Sequence, residues 1–174
     1  MVARAGVPEA SSVATRHVMQ ANRSKNTTPE LTLRAELRAA GLTGYRLHWK
    51  KAPGRPDVCF PGRRVAIFVH GCFWHAHSCT AARPRTHAKF WAEKFARNRA
   101  RDERNVRELL AAGWTVVVVW ECELKRARRA ATVARVVAEV RRAGEGRLPA
   151  HVVDAGAVPA WRLRRRRARS RRRS

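Results

Sequence analysis

Apolar residues fall at helical spacing in TTPELTLRAELRAAG, where Leu31, Leu33, Leu37 and Ala40 supply the apolar positions. Both ends of that helix are marked. Thr28 suits the N-cap, Pro29 the first helical position, and Gly41 the residue just past the end. Glu30 stands in the first turn, where a carboxylate meets the positive end of the helix. The period then changes. YRLHW (Tyr45 to Trp49) alternates as a strand does, and PDVCF leads through a turn at Pro61 to Arg63 into VAIFV (Val65 to Val69), a hairpin pattern. A long basic helix follows in THAKFWAEKFARNRARDERNVRELLAAG, with Phe95, Val106, Leu109 and Leu110 as its apolar stripe and Gly113 at its end. Trp114 to Trp120 is an unbroken apolar run, as in a strand buried on both faces. A last helix spans roughly Arg126 to Ala143, with Val133, Val136, Val137 and Val140 turned inward. This order predicts an α/β fold: a mixed central sheet with helices packed on it.

Length and composition sharpen this picture at the two ends. The 174 residues suit one domain with a real core. Residues 1–27 show no clear period and read as a flexible basic arm, with Arg23, Lys25 and Asn26 placed to meet a phosphate backbone. The domain proper is expected over 28–155. The Arg-rich segment 156–174 repels itself, has little to bury, and reads as a disordered tail. Lys and Arg number 38 against 13 Asp and Glu, a formal charge of +25, which favours a polyanionic partner, nucleic acid first. No stretch approaches a membrane span, and the N-terminus lacks the apolar core of a secretion signal. The expectation is a cytoplasmic protein whose four cysteines are thiols or metal ligands rather than disulfides. No heptad pattern argues for an oligomer, so a monomer is expected.

The chemistry concentrates in FVHGCFWHAHSC, Phe68 to Cys79. Cys72, His77 and Cys79 lie in one loop and Cys122 follows the buried strand, a donor set suited to tetrahedral, structural zinc. Spacing alone leaves open an alternative of buried thiols and a surface histidine. Cys59, inside a strand, reads as a core residue. Asp57 stands at a strand start in a chain poor in acids, where it could hold Mg²⁺ to polarise a phosphodiester; on composition alone, a turn aspartate with a local hydrogen bond is the stronger explanation. His75 or His70 could take a proton from water, or serve the zinc site instead. VAIFV carries no acid-x-Lys pair, so the common two-carboxylate nuclease set is incomplete. Phe73, Trp74 and Trp91 could wedge between bases, or pack as a lid on the core.

TTPE at 27–30, PGRPD at 53–57, FVHGCFWHAHSC, FWAEK at 90–94, Arg101-Asp102 and GWTVVVVWECEL at 113–124 stand in one order that resembles the very short patch repair endonucleases, the Vsr family, from about Arg16 to Val140. The resemblance implies a restriction-endonuclease-like fold. It implies an Mg²⁺-dependent, strand-specific nick on the 5′ side of the thymine in a T·G mispair of double-stranded DNA, with mismatch-repair proteins as possible partners. It implies Asp57 and the backbone carbonyl of Val69 as Mg²⁺ ligands, His75 as general base, and His70 near the scissile phosphate. Glu30 and Asp102 would hold waters of the metal shell or orient a histidine. Cys72, His77, Cys79 and Cys122 would be structural zinc ligands. Phe73, Trp74 and Trp91 would enter the duplex, with Lys94 and Asn98 as further DNA contacts. Ala76 and Ser78 stand where a more His-rich version of the loop has histidines, and the Arg-rich terminus has no counterpart in the pattern. The alternatives are a same-fold nuclease acting on other mismatches or as a restriction enzyme, and a zinc-stabilised DNA-binding module without catalysis.

Overall fold

The computed structural model describes residues 25–79, 84, 86–145 and 151–154. The arm before Lys25, with Arg23, and the Arg-rich tail lie outside the described residues.

Helix α1 (Thr28–Ala39) leads to the short strand β1 (Arg46–Leu47), then β2 (Val58–Phe60) and β3 (Val65–His70). Helix α2 (Ala88–Ala111) crosses to β4 (Thr115–Trp120), and α3 (Arg126–Glu145) to β5 (Val152–Asp154). The strands form one sheet in the order β1-β2-β3-β4-β5. The β1–β2 and β2–β3 pairs are antiparallel, whereas β3–β4 and β4–β5 are parallel. The sheet is therefore mixed, as the element order predicts.

The strand period of two divides the core between the two faces. Val65 and Ile67 of β3, with Val117 and Val119 of β4, join Leu33 and Leu37 of α1 and Val136, Val137 and Val140 of α3. Ala66, Phe68, Val116, Val118 and Trp120 face the other way, onto Val106 and Leu109 of α2. Every residue of β4 is buried, as expected for an unbroken apolar run between helical layers. Each such aliphatic contributes ~1.5–3 kcal/mol of transfer free energy, so the centre of the sheet is the most strongly determined part of the fold.

The structure corrects several local expectations. The N-cap of α1 is Thr27, not Thr28, and Pro29 sits in the second helical position. Glu30 reaches back to accept from the Thr27 amide at 3.4 Å and its hydroxyl at 2.9 Å, which fixes the cap one residue earlier. Leu31 is half exposed rather than part of the apolar face. The strand expected over Tyr45 to Trp49 is only Arg46–Leu47, because His48 adopts φ +45° and leaves the ladder. The Pro61–Arg63 turn is a 3-10 turn closed by Arg64 in the left-handed region, and it joins β2 to β3 as an antiparallel hairpin. β5 was not expected from its short apolar stretch. It gains its place by parallel pairing with β4 (Val116↔Val152).

Candidate active site and metal centre

The parallel register of β3 and β4 builds the site. It pairs His70 with Trp120, so the chain leaves both strands at the same edge of the sheet. Two residues on from each lie Cys72 and Cys122. The loop after β3 turns back on itself, with His75 N–H bonded to Gly71 O at 3.2 Å and His77 N–H to Cys72 O at 2.9 Å. These turns bring His77 and Cys79 to the two cysteines.

The ligand atoms of Cys72, His77, Cys79 and Cys122 lie within 4.8 Å of one another. Cys122 Sγ stands 3.6 Å from His77 Nδ1. Two ligands at about 2.3 Å (sulfur) and 2.0 Å (nitrogen) from a tetrahedral zinc ion would be separated by roughly that distance. The donor set thus fits a closed structural metal site, and the alternative of scattered thiols does not describe this geometry. Without a cation, burial pushes the Cys72 thiol up to about 12 and raises Cys122 as well. A soft divalent ion is what would hold them as thiolates. His77 is backed by the Trp120 indole, stacked at 4.1 Å. Cys59 is fully buried, with its thiol pushed up to about 12 by burial, and stands apart from the cluster as a core residue.

A cleft of ≈ 1130 Å³ lies beside the metal cluster, and Glu30, Asp57, His70, His75 and Asp102 all open onto it. Asp57 Oδ2 accepts from the Val69 backbone N–H at 2.8 Å, so the end of β3 and the start of β2 are tied at the carboxylate. Burial first, and Glu30 as a neighbouring acid, push the Asp57 carboxyl up to about 6. A cation at the cleft face of Asp57 would reverse that, and a carboxylate opening onto a wide aqueous cleft suits a hard ion that keeps its waters.

His70 and His75 stack in parallel, ring centres 3.9 Å apart. Burial lowers His70 to about 3, with His75 adding to the effect, so His70 is neutral at physiological pH. His75 Nδ1 lies 2.6 Å from Asp102 Oδ2, on α2. Burial pushes Asp102 up, but the hydrogen bond from His75 together with the charges of His75, His70 and Arg101 outweighs it, and the carboxyl ends below its ordinary value. Arg101 and Arg104 add positive charge to the wall of the cleft.

Phe73 makes edge contacts with Trp74, Trp91 and Phe95, at 5.1, 5.2 and 5.7 Å. All but Phe95 remain partly exposed, so the aromatic group is neither a closed lid nor a free surface patch. Lys94 places its ammonium over Trp74 and Trp91 at 5.3 and 5.4 Å. Asn98 donates to Trp74 O at 2.9 Å. Lys25 is exposed, and Asn26 accepts from Arg34 at 2.7 Å.

The sequence reading missed His48 and Arg34. Arg34 NH2 bonds Glu30 Oε2 at 2.7 Å, so Glu30 already has a cationic partner at close range. His48 lies between Glu30 and Asp57, 3.6 Å from each. Burial lowers the His48 imidazole against the opposing pull of Glu30. The i,i+4 spacing of Glu30 and Arg34 was visible as an ion-pair signal. His48 carried none, since it appeared only as one place in an alternating strand.

A family model described as DNA mismatch endonuclease Vsr matches residues 11–81. The type II nicking enzyme V.XorIIP of Xanthomonas oryzae is 50% identical over 110 residues, 63% of this chain and 80% of that protein. The DNA mismatch endonuclease Vsr of Escherichia coli is 41% identical over 108 residues, 62% of this chain and 69% of its own. The chain belongs to the Vsr family. A further relative, the type II nicking enzyme V.NmeAIP of Neisseria meningitidis, is 42% identical over 109 residues, 62% of this chain and 77% of that protein. The fold is accordingly restriction-endonuclease-like, and the protein is a hydrolase acting on DNA phosphodiester bonds. Vsr-family nucleases use a divalent metal, and the Cys/His cluster described above could separately hold a metal ion. Among the described residues no helix is long and apolar enough to cross a membrane.

Proposed function

We propose that this Vsr-family chain nicks one strand of duplex DNA on the 5′ side of the thymine in a T·G mispair, in an Mg²⁺-dependent hydrolysis. The observation that carries the reading is the meeting of Asp57, His70 and His75 in one cleft with cationic Arg101 and Arg104 on its wall. In this reading Asp57, with the Val69 carbonyl, holds the catalytic cation, which when bound polarises the phosphodiester and acidifies a water. Asp102 accepts from His75 Nδ1, which fixes the tautomer and leaves Nε2 to take the proton of the attacking water. Neutral His70, stacked on His75, holds the base in place and faces the scissile phosphate. Glu30 acts through Arg34, whose guanidinium its carboxylate holds at 2.7 Å beside His48.

Phe73, Trp74 and Trp91 enter the duplex at the mispair, where unstacking is cheaper than at a paired step. Lys94 and Asn98 stand on the same helix face and meet the opened strand, while Lys25 and Asn26 meet phosphates. Cys72, His77, Cys79 and Cys122 hold zinc, so that aromatic loop and base keep fixed distances from Asp57. The protein works as a monomer in this reading, in the cytoplasm, with mismatch-repair proteins as partners.

The names of two relatives as type II nicking enzymes favour a second reading, in which this chain is a nuclease of the same fold that acts on other mispairs or as a restriction-type enzyme. One experiment separates these. End-labelled duplexes carrying each mispair in varied flanks are incubated with zinc-loaded protein, with and without Mg²⁺. A T·G-specific, Mg²⁺-dependent nick that is lost in Asp57→Ala supports the first reading. Equal nicking of other mispairs supports the second, and nicking by Asp57→Ala at full rate removes both.

A further inference from the structure

The backbone at His48 is left-handed, φ +45°, in a residue that is not glycine. Such a conformation costs ~1–3 kcal/mol and persists only where the surroundings enforce it. Here it ends β1 at Leu47 and swings the imidazole out of the strand's alternation, to a position between two carboxylates. Nε2 lies 3.6 Å from Glu30 Oε2 and Nδ1 lies 3.6 Å from Asp57 Oδ1. Both acids line the cleft, and His48 does not. It reaches Asp57 from the side of Glu30 and Arg34.

The Arg34 NH2 group stands 3.4 Å from His48 Nε2, and a guanidinium has donors only. Nε2 also lies 3.6 Å from Glu30 Oε2, so it has a donor on one side and an acceptor on the other; the tautomer that accepts from Arg34 at Nε2 carries its ring hydrogen on Nδ1, facing Asp57. The other oxygen of the same carboxylate accepts from the Val69 N–H at 2.8 Å. In that tautomer two N–H groups approach Asp57, one toward each oxygen. The Val69 bond is formed. The His48 contact is longer than a hydrogen bond and would close with an approach of about 0.6 Å. Together they fix the rotation of the carboxylate plane and leave its cleft-facing lone pairs for a ligand.

We propose that His48 is a positioning residue for Asp57: the chain Arg34–His48–Asp57 holds the carboxylate in the orientation that binds the catalytic cation. This rests on the reading of Asp57 as a cation ligand. Partners of a ligating carboxylate typically alter metal affinity 10–100-fold when removed.

The test uses the full zinc-loaded chain without DNA, Mn²⁺ as the probe, and electron paramagnetic resonance to count bound ion. Zinc content and Tm are read in parallel. Asp57→Ala should abolish the tight Mn²⁺ site. His48→Ala should weaken it about 10–100-fold with zinc retained. His48→Asn, whose amide nitrogen can stand where Nδ1 stood, should recover most of the affinity. Wild-type affinity in His48→Ala, with Asp57→Ala inactive in binding, overturns the role of His48 alone. Wild-type affinity in Asp57→Ala overturns the cation reading and this inference with it. An Asn variant no better than the Ala variant also overturns it, since a donor on the Asp57 side is what the proposal requires. If His48→Ala does not fold, the Asn variant decides: near-wild-type affinity supports the proposal and a large loss ends it.

Discussion

His75 Nδ1 and Asp102 Oδ2 are 2.6 Å apart, although one sits in the loop after β3 and the other on α2. The pair joins the loop that carries the aromatic residues to the helix that lines the basic wall. It also decides which nitrogen of His75 is available to water. Asp102→Asn keeps the shape and removes the charge and the fixed tautomer. Single-turnover nicking of a T·G duplex should slow by roughly 10–100-fold, while binding measured with Ca²⁺ stays near wild type. A variant that nicks at more than half the wild-type rate would show that His75 does not depend on this carboxylate.

Asp57 is held at about 6, above an ordinary 3.8, chiefly by burial. Folding therefore favours its protonated form. Its contribution to stability is complete below about 3.8 and is lost as pH rises through about 6. At pH 8 and without Mg²⁺, the ionised carboxylate should cost on the order of 1–3 kcal/mol. Asp57→Asn should then raise Tm at pH 8, with the gain shrinking toward pH 5, and should abolish nicking. Added Mg²⁺ should stabilise the wild type and not the variant. Thermal melts of the zinc-loaded protein across pH check all of this; a variant that melts lower than wild type at pH 8 contradicts it.

Cys122 comes from the loop after β4 and the other three cluster donors from the loop after β3. Cys122→Ser should lower bound zinc measured by elemental analysis, reduce Tm and suppress nicking, with no rescue by excess Mg²⁺. A zinc-free protein with the wild-type rate would show that the cluster has no part in aligning the cleft.

Gly54 has φ +72°, and a Cβ there would meet the Asn105 side chain at 2.7 Å. The PGRPD segment thus docks closely on α2, three residues before Asp57. Gly54→Ala should destabilise by roughly 1–3 kcal/mol and slow nicking. In Gly54→Ala with Asn105→Ala the clashes with Cγ and Nδ2 should be relieved, while the Cβ contact at 2.8 Å and the backbone strain should remain. Denaturant melts of the double-mutant cycle separate the two.

The fold was most legible where burial is strongest. Trp114 to Trp120 read as a doubly buried strand, and all of Thr115–Trp120 is buried. The metal cluster was legible in its residue types, though only the paired strand ends show why Cys122 reaches the other three. His48 was not legible, because alternation places a residue on one face or the other and cannot foresee a left-handed backbone. β5 was missed because its stability comes from β4 beside it, not from its own three residues. Glu30 carried a correct signal with an incomplete meaning: a carboxylate in the first turn satisfies the helix, but Arg34 and His48 give it a second employment.

The in-register pairing of His70 with Trp120 has a consequence for how this protein can change over evolution. One residue inserted into either strand would carry its cysteine about 3.3 Å along the sheet and turn every neighbouring side chain to the opposite face. The sulfur cluster would open and the paired imidazoles would separate in the same event. Variation in DNA preference must therefore enter through the helix faces and the loop interiors, because the two strand lengths are locked to each other.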